Sequence, residues 1–184
     1  GVNKLHSGVT GMTWLPFTTN DGLANNKVTR IDEAPNGDLW FSHSSFSAGV
    51  SVFDGNNWIS YNSPDLPISG VCATSFSDNG DIWFASPLDG LAHYDGTNFT
   101  NYSANDGLLS NYSTSVLVDN SNNIWLGSQD GMTVMNSTIN QFTFHTIMYS
   151  LPPPDTLNPV TEIAKDSWGR IWTTIYVGYL AEGG

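Results

Sequence analysis

The strongest constraint on the fold is a short segment that occurs four times along the 184-residue chain: Asn36-Gly37-Asp38-Leu39-Trp40-Phe41, Asn79-Gly80-Asp81-Ile82-Trp83-Phe84, Asn122-Asn123-Ile124-Trp125-Leu126 and Trp168-Gly169-Arg170-Ile171-Trp172-Thr173. Its tryptophans, Trp40, Trp83, Trp125 and Trp172, stand 43, 42 and 47 residues apart. β-Branched runs before each turn read as first strands, and the tryptophan segments as second strands. Asn-Gly between apolar runs is a strong hairpin signal, because both residues tolerate positive φ. A third strand opens on glycine in Gly49-Val50-Ser51-Val52-Phe53, Gly90-Leu91-Ala92-His93-Tyr94 and Gly131-Met132-Thr133-Val134-Met135. A fourth follows Asp54-Gly55-Asn56 or Asp95-Gly96-Thr97, as in Trp58-Ile59-Ser60-Tyr61 and Phe99-Thr100-Asn101-Tyr102. Four-stranded antiparallel meanders at this period predict an all-β protein, a β-propeller with one repeat per blade. No stretch shows the 3.6-residue apolar period that a helical solenoid needs.

The repeats divide a single domain, 1–184, into approximately 21–63, 64–105, 106–154 and 155–184. Residues 1–20 supply closing strands: Trp14 is equivalent to Trp58 and Phe17 to Tyr61, while the fourth repeat reaches only its first strands and Gly178-Tyr179-Leu180-Ala181 before the chain ends. Two arrangements follow. A closed ring has four blades, one completed by the N-terminal segment; the alternative is a four-blade arc of a larger propeller, associating through exposed blade edges. Closure predicts that Arg30 and Glu162, ten residues before the first and last repeated tryptophans, approach each other.

These repeats resemble the two-component regulator propeller repeat of bacterial extracytoplasmic sensors and related secreted proteins. The matching residues are Asp21-Gly22-Leu23 through Asn26, Asp106-Gly107-Leu108 through Asn111, the Gly-Asp-Ile-Trp-Phe type core and Phe53-Asp54-Gly55-Asn56-Asn57-Trp58. The resemblance implies a ligand-binding propeller, often for glycan fragments, facing the extracytoplasmic side as a periplasmic, secreted or cell-surface protein. The streptogramin lyases share the tryptophan motif, and their chemistry needs a histidine base and magnesium. Here His6, His43, His93 and His145 occupy unrelated repeat positions, so catalysis is not expected.

Charge narrows the partners. Five Lys and Arg against 17 Asp and Glu give a net charge of -12, which disfavours nucleic acid and anionic membrane surfaces. No apolar run is long enough to insert in a membrane. A divalent cation, a neutral oligosaccharide or a protein partner is compatible. No cofactor is expected, with calcium the one weak possibility, held by a ring of interblade carboxylates: Asp21, Asp65, Asp106 and Asp155. The simpler role for these is to fix local turns. The ligand candidates are loop residues that differ between repeats: His43 and Phe46 in the longest loop, with Asp89, Asp130 and Tyr176 at equivalent places in the other blades. Loops on a rigid scaffold are where binding concentrates. The expected function is therefore non-catalytic recognition of a carbohydrate or protein through the loop face. A structural role in a larger exported complex is the alternative, and a polysaccharide-acting enzyme the third. The Asn-x-Ser/Thr sequons at Asn98, Asn101, Asn111 and Asn136, and an Asp155-Thr156-Leu157 segment after Pro152-Pro153-Pro154, are the possible glycosylation sites.

Overall fold

The computed structural model describes residues 1–8, 11–45, 48–136, 143–147 and 159–175, with backbone alone for 143–147. Its sixteen strands are β1 (Val2–Gly8), β2 (Gly11–Phe17), β3 (Arg30–Glu33), β4 (Leu39–Ser42), β5 (Val50–Phe53), β6 (Trp58–Tyr61), β7 (Ala73–Phe76), β8 (Ile82–Ser86), β9 (Gly90–Tyr94), β10 (Phe99–Tyr102), β11 (Ser113–Val118), β12 (Asn123–Ser128), β13 (Gly131–Asn136), β14 (Thr143–Ile147), β15 (Val160–Lys165) and β16 (Ile171–Ile175). Three four-stranded antiparallel meanders, β3–β6, β7–β10 and β11–β14, form blades 1, 2 and 3. Two-stranded sheets, β1–β2 and β15–β16, stand at the ends. The first strands of successive blades pack on one another, β3 with β7, β7 with β11 and β11 with β15, and so line the axis. The chain is an all-β propeller built from the predicted repeats.

Each apolar core is a seam between blades. Trp40, Val50 and Val52 of blade 1 pack with Ile82, Phe84 and Ala92 of blade 2. Trp83 and Leu91 of blade 2 pack with Val116, Ile124 and Leu126 of blade 3. Trp125 and Met132 of blade 3 meet Ile163 and Ile171 of the last half-blade. The alternation of a strand sends one set of side chains to the preceding blade and the other to the next, which is why every repeat spends a tryptophan at the same place. Burying such a ring contributes several kcal/mol at about 25 cal/mol per Å2.

The turns between first and second strands depart from the expected geometry in one respect. Only the second residue of Asn-Gly takes positive φ, 89° at Gly37 and 95° at Gly80, with Asn122 at 58° in the third repeat. Ala34 N–H bonds Asp38 O while Gly37 N–H bonds Ala34 O, so the loop has three residues and closes on a left-handed position. Asn36 works through its side chain instead, its Oδ1 accepting from Asp38 N–H at 3.1 Å.

Among the described residues the two ends are two-stranded. Phe17 rests on Phe53 and Trp58, at 6.0 and 5.5 Å between ring centroids, as its equivalent Tyr61 rests on Tyr94 and Phe99. Strand β2 therefore lies before blade 1 as a fourth strand lies before the next blade, the equivalence read from sequence. It pairs with β1, however, and among the described residues not with β15–β16. Arg30 Nη1 does reach Glu162 Oε1 at 3.4 Å, as closure requires. Ile31 is 53% exposed and Trp172 58% exposed. Long side chains can bridge the axis without their blades packing. Among the described residues the two ends meet through Arg30 and Glu162, and β1–β2 is not paired with β15–β16.

Candidate functional site

The loops between second and third strands share one face with the connections between blades. On it, His43 is not a ligand-facing residue: its side chain is fully buried. A carbonyl oxygen can only accept, so Nδ1–H donates to Lys27 O at 3.1 Å and Nε2 accepts from Ser51 Oγ–H at 2.9 Å. The imidazole spans the connection before blade 1 and its third strand. Burial pushes its pKa down, opposed by the bond to the Lys27 carbonyl. The backbone of the same residue receives Val71 N–H, tying the blade 1 loop to the next connection. Phe46, beside it in sequence, lies outside the described residues, as do Tyr176, Asp155 and Thr156.

Asp89 and Asp130 lie on either side of one short segment. Asp89 is half-buried, and its Oδ2 accepts Ser69 N–H at 2.6 Å, holding the connection that precedes its own blade. The next residue, Gly90, donates to Asn111 O, and Gln129, next to Asp130, donates to Tyr112 O. Asn111-Tyr112 therefore stitches the blade 2 turn to the blade 3 turn. Asp130 and Gln129 are exposed, and Tyr112 presents 53% of its surface beside them. Sequence reasoning passed over Tyr112. Thirteen residues before the tryptophan stand Lys27, Gly70, Tyr112 and Pro159, so the one aromatic there was a readable departure from the repeat. A tyrosine ring amid amide and carboxylate side chains offers an apolar face and hydrogen-bond partners together.

The interblade carboxylates divide by local role. Asp21 Oδ2 accepts from Thr18 N–H and Oγ1–H at 2.8 and 3.0 Å. Asp106 Oδ2 accepts from Ser103 N–H and Oγ–H at 2.9 and 2.8 Å. Both close capping boxes on one-turn 3-10 segments, Thr19–Asp21 and Ala104–Asp106. The Ser103 hydroxyl, then its backbone N–H, hold the Asp106 carboxyl below the usual carboxylate range. Asp65 is exposed in the 62–66 turn, where Leu66 N–H bonds Asn62 O. Among the described residues no three His, Cys, Asp or Glu side chains come together as a metal site. The Asp119 loop is a turn too. Its carboxylate accepts from Ser121 N–H, from both nitrogens of Asn123 and from Trp125 Nε1–H, at 2.8–2.9 Å.

Residues 107–130, the heart of this seam, match the family described as Two component regulator propeller. No curated protein matches the chain. Among solved structures it is similar to the extracellular domain of BT4673, described as a one-component system of B. thetaiotaomicron, with TM-score 0.70 and 18% identity over 92% of this chain and 25% of that one. PorZ, a surface component of the type-IX secretion system of Porphyromonas gingivalis, gives TM-score 0.63 and 15% identity over 88% of this chain and 27% of its own. Virginiamycin B lyase from Staphylococcus aureus gives 0.63 and 17%, over 93% and 55%. The chain spans about a quarter of the first two and about half of the third. At these identities the likeness is one of fold, and no helix among the described residues is long and apolar enough to cross a membrane. Residues 107–130 thus match the two-component regulator propeller repeat, and the scaffold that carries them is a β-propeller.

Proposed function

We propose that this chain is a non-catalytic recognition segment of an extracytoplasmic propeller, binding a carbohydrate or a protein through its loop face. The observation that carries the reading is Tyr112, half exposed on the segment that joins the Asp89 and Asp130 turns. Rigid backbone bonds hold this patch, so binding there needs little reordering. Calorimetric titration with oligosaccharides tests it. Tyr112→Ala should abolish the heat of binding and leave thermal unfolding unchanged; retained affinity in that variant sinks the loop-face reading.

A second reading, assembly into a larger exported complex, is favoured by the apolar surface at the two ends. Trp14, Met12 and Ile31 are 65%, 73% and 53% exposed at one end, and Trp168 and Trp172 are 78% and 58% exposed at the other. Large apolar side chains exposed at unpaired sheet edges are a usual place for contacts. Trp172→Ser should then impair assembly while oligosaccharide binding persists.

A further inference from the structure

The turns between first and second strands lie at the opposite end of the blades from the Tyr112 patch. There the seam between blades 1 and 2 opens into a groove of about 370 Å3, walled by Trp40, Tyr61, Phe76 and Tyr94, with the carboxylates of Asp38 and Asp78 also lining it. The rings are differently inclined. Tyr61 is within 5° of parallel to Trp40 at 6.0 Å between centroids, Phe76 stands at 63° to Trp40, and Tyr94 at 48° to Tyr61. No Lys, Arg or His lines the groove. Asp38 Oδ2 accepts Asn36 Nδ2–H at 2.7 Å, and neither Asp38 nor Asp78 has an ion-pair partner among the described residues.

The other repeats show what this arrangement suits. In blade 2 His93 stacks on Trp83 at 4.2 Å between ring centroids, and its Nε2 is 3.0 Å from Asp81 Oδ2. Asp81 is oriented as Asp38 is, by Asn79 Nδ2–H at 2.9 Å. In the last repeat the Arg170 guanidinium lies 5.5 Å from the Trp172 ring centroid, with its Nε 2.6 Å from Asp166 Oδ2. Blade 3 has neither partner, since Asn123 and Val134 stand where blade 2 has Asp81 and His93. Blade 1 keeps the tryptophan and the carboxylate, but Val52 stands opposite the indole in place of a nitrogen base.

We infer that this groove receives the guanidinium of an arginine side chain presented by a protein partner, stacked against Trp40 and paired with Asp38. A cation over an aromatic face is attracted by the ring quadrupole, most strongly by that of tryptophan, and a carboxylate beside it adds charge-assisted hydrogen bonds. Arginine suits the site better than lysine. Its plane stacks on the indole as the His93 ring does, and its fork of N–H donors matches a carboxylate. Val52 and Ile59 line the groove beside the rings and give the methylene stem an apolar bed. The volume is at the low end of the about 300–1,000 Å3 usual for ligand pockets, enough for a single side chain. Burial, then the hydroxyl of Tyr94, raises the Tyr61 hydroxyl to a pKa of about 12, so the attraction comes from the rings and the two carboxylates. The net charge of -12 steers a basic partner toward the chain.

The groove and the Tyr112 patch are on opposite faces, so one can fail without the other. The test is a titration of the nitrogen-15-labelled chain with a capped Gly-Arg-Gly peptide, with its citrulline analogue, which has nearly the same shape and no charge, and with choline. The indole N–H resonance of Trp40 is assigned by its loss in Trp40→Phe. That resonance should move saturably with the arginine peptide, and equally so in Tyr112→Ala. The citrulline peptide should bind about tenfold more weakly or worse. Asp38→Asn, which keeps the side-chain shape, should weaken arginine binding about tenfold. Val52→His, which rebuilds in blade 1 the pair that His93 and Asp81 make in blade 2, should weaken it as much. A Trp40 resonance that does not move with the arginine peptide overturns the inference. Equal affinity for the arginine and citrulline peptides does so too, because apolar packing would then account for the binding. Tighter binding of choline than of the arginine peptide overturns the assignment to a protein side chain. So does binding that persists undiminished in both Asp38→Asn and Val52→His.

Discussion

The seam between blades 1 and 2 and the seam between blades 2 and 3 are built on one pattern with different fillings. In the second, His93 covers Trp83, and Asp81 Oδ2 lies 3.0 Å from His93 Nε2. Ser77 takes the indole proton there. In the first, Val52 and Ala34 leave the same indole with space on one face and a proton without an acceptor. In the blade 2/3 seam the indole is covered and its N–H bonded, whereas in the blade 1/2 seam a groove remains beside the indole and its N–H has no acceptor among the described residues. A repeat can thus give up one function of a recurring contact while keeping the blades together, provided the tryptophan stays buried.

The largest expected effect tests the burial that both seams share against the open end. Trp83→Ala removes a ring that is 1% exposed and should cost about 3–5 kcal/mol in denaturant unfolding. Trp172→Ala, at 58% exposed, should cost under about 1 kcal/mol. Equal losses would mean that Trp172 is packed as tightly as Trp83.

Next is the hydrogen bond that blade 1 lacks. Asp119→Ala removes the acceptor of Trp125 Nε1–H and of three further donors, and should cost about 1–3 kcal/mol. Burial raises the Asp119 carboxyl, but the bonds from Trp125, Asn123 and Ser121 outweigh it and hold the group below the ordinary range. A depressed folded pKa contributes stability above the unfolded value of about 3.9 and loses it as pH falls through the folded value. Melting curves should therefore fall off below about pH 4, less steeply in Asp119→Asn. An identical acid limb in both proteins would discount the bond network.

A smaller effect reverses the comparison. Ala34→Ser rebuilds in blade 1 what Ser77 supplies in blade 2, and should stabilise the chain by about 0.5–1 kcal/mol. A loss of stability on urea titration would show that the Trp40 proton is already satisfied.

The smallest effect concerns His43, which is neutral and buried. Its folded pKa is lowered, first by burial, so the unfolded chain takes up the proton first. Stability present above about pH 6.5 should then decline as pH drops toward the folded value. His43→Gln should flatten that decline in a plot of Tm against pH. Persistence of the decline would assign it to another group.

Sequence and structure divide along physical lines. Spacing of the tryptophans was enough for the blades, because period-2 strands at a 42-residue repeat have few ways to bury one aromatic each. It was also enough for the caps at Asp21 and Asp106, since Thr18, Ser103 and their carboxylates act within three residues. The equivalence of Phe17 with Tyr61 was legible for the same reason. Long-range placement was not. His43 looked like a loop residue free to meet a ligand, and only the approach of Lys27 and Ser51 from other segments shows it enclosed. The Arg30–Glu162 approach was foreseen from the repeat positions, but the exposure of Trp172 and Ile31 was not. Ala34 and Val52 were unremarkable letters until blade 2 was laid against blade 1 and the groove between them became visible. Local hydrogen bonding and strand period are properties of neighbouring residues, so the sequence determines them. Which side chains remain covered, and which donors lack an acceptor, depends on surfaces brought together from distant repeats, and only the tertiary structure decides that.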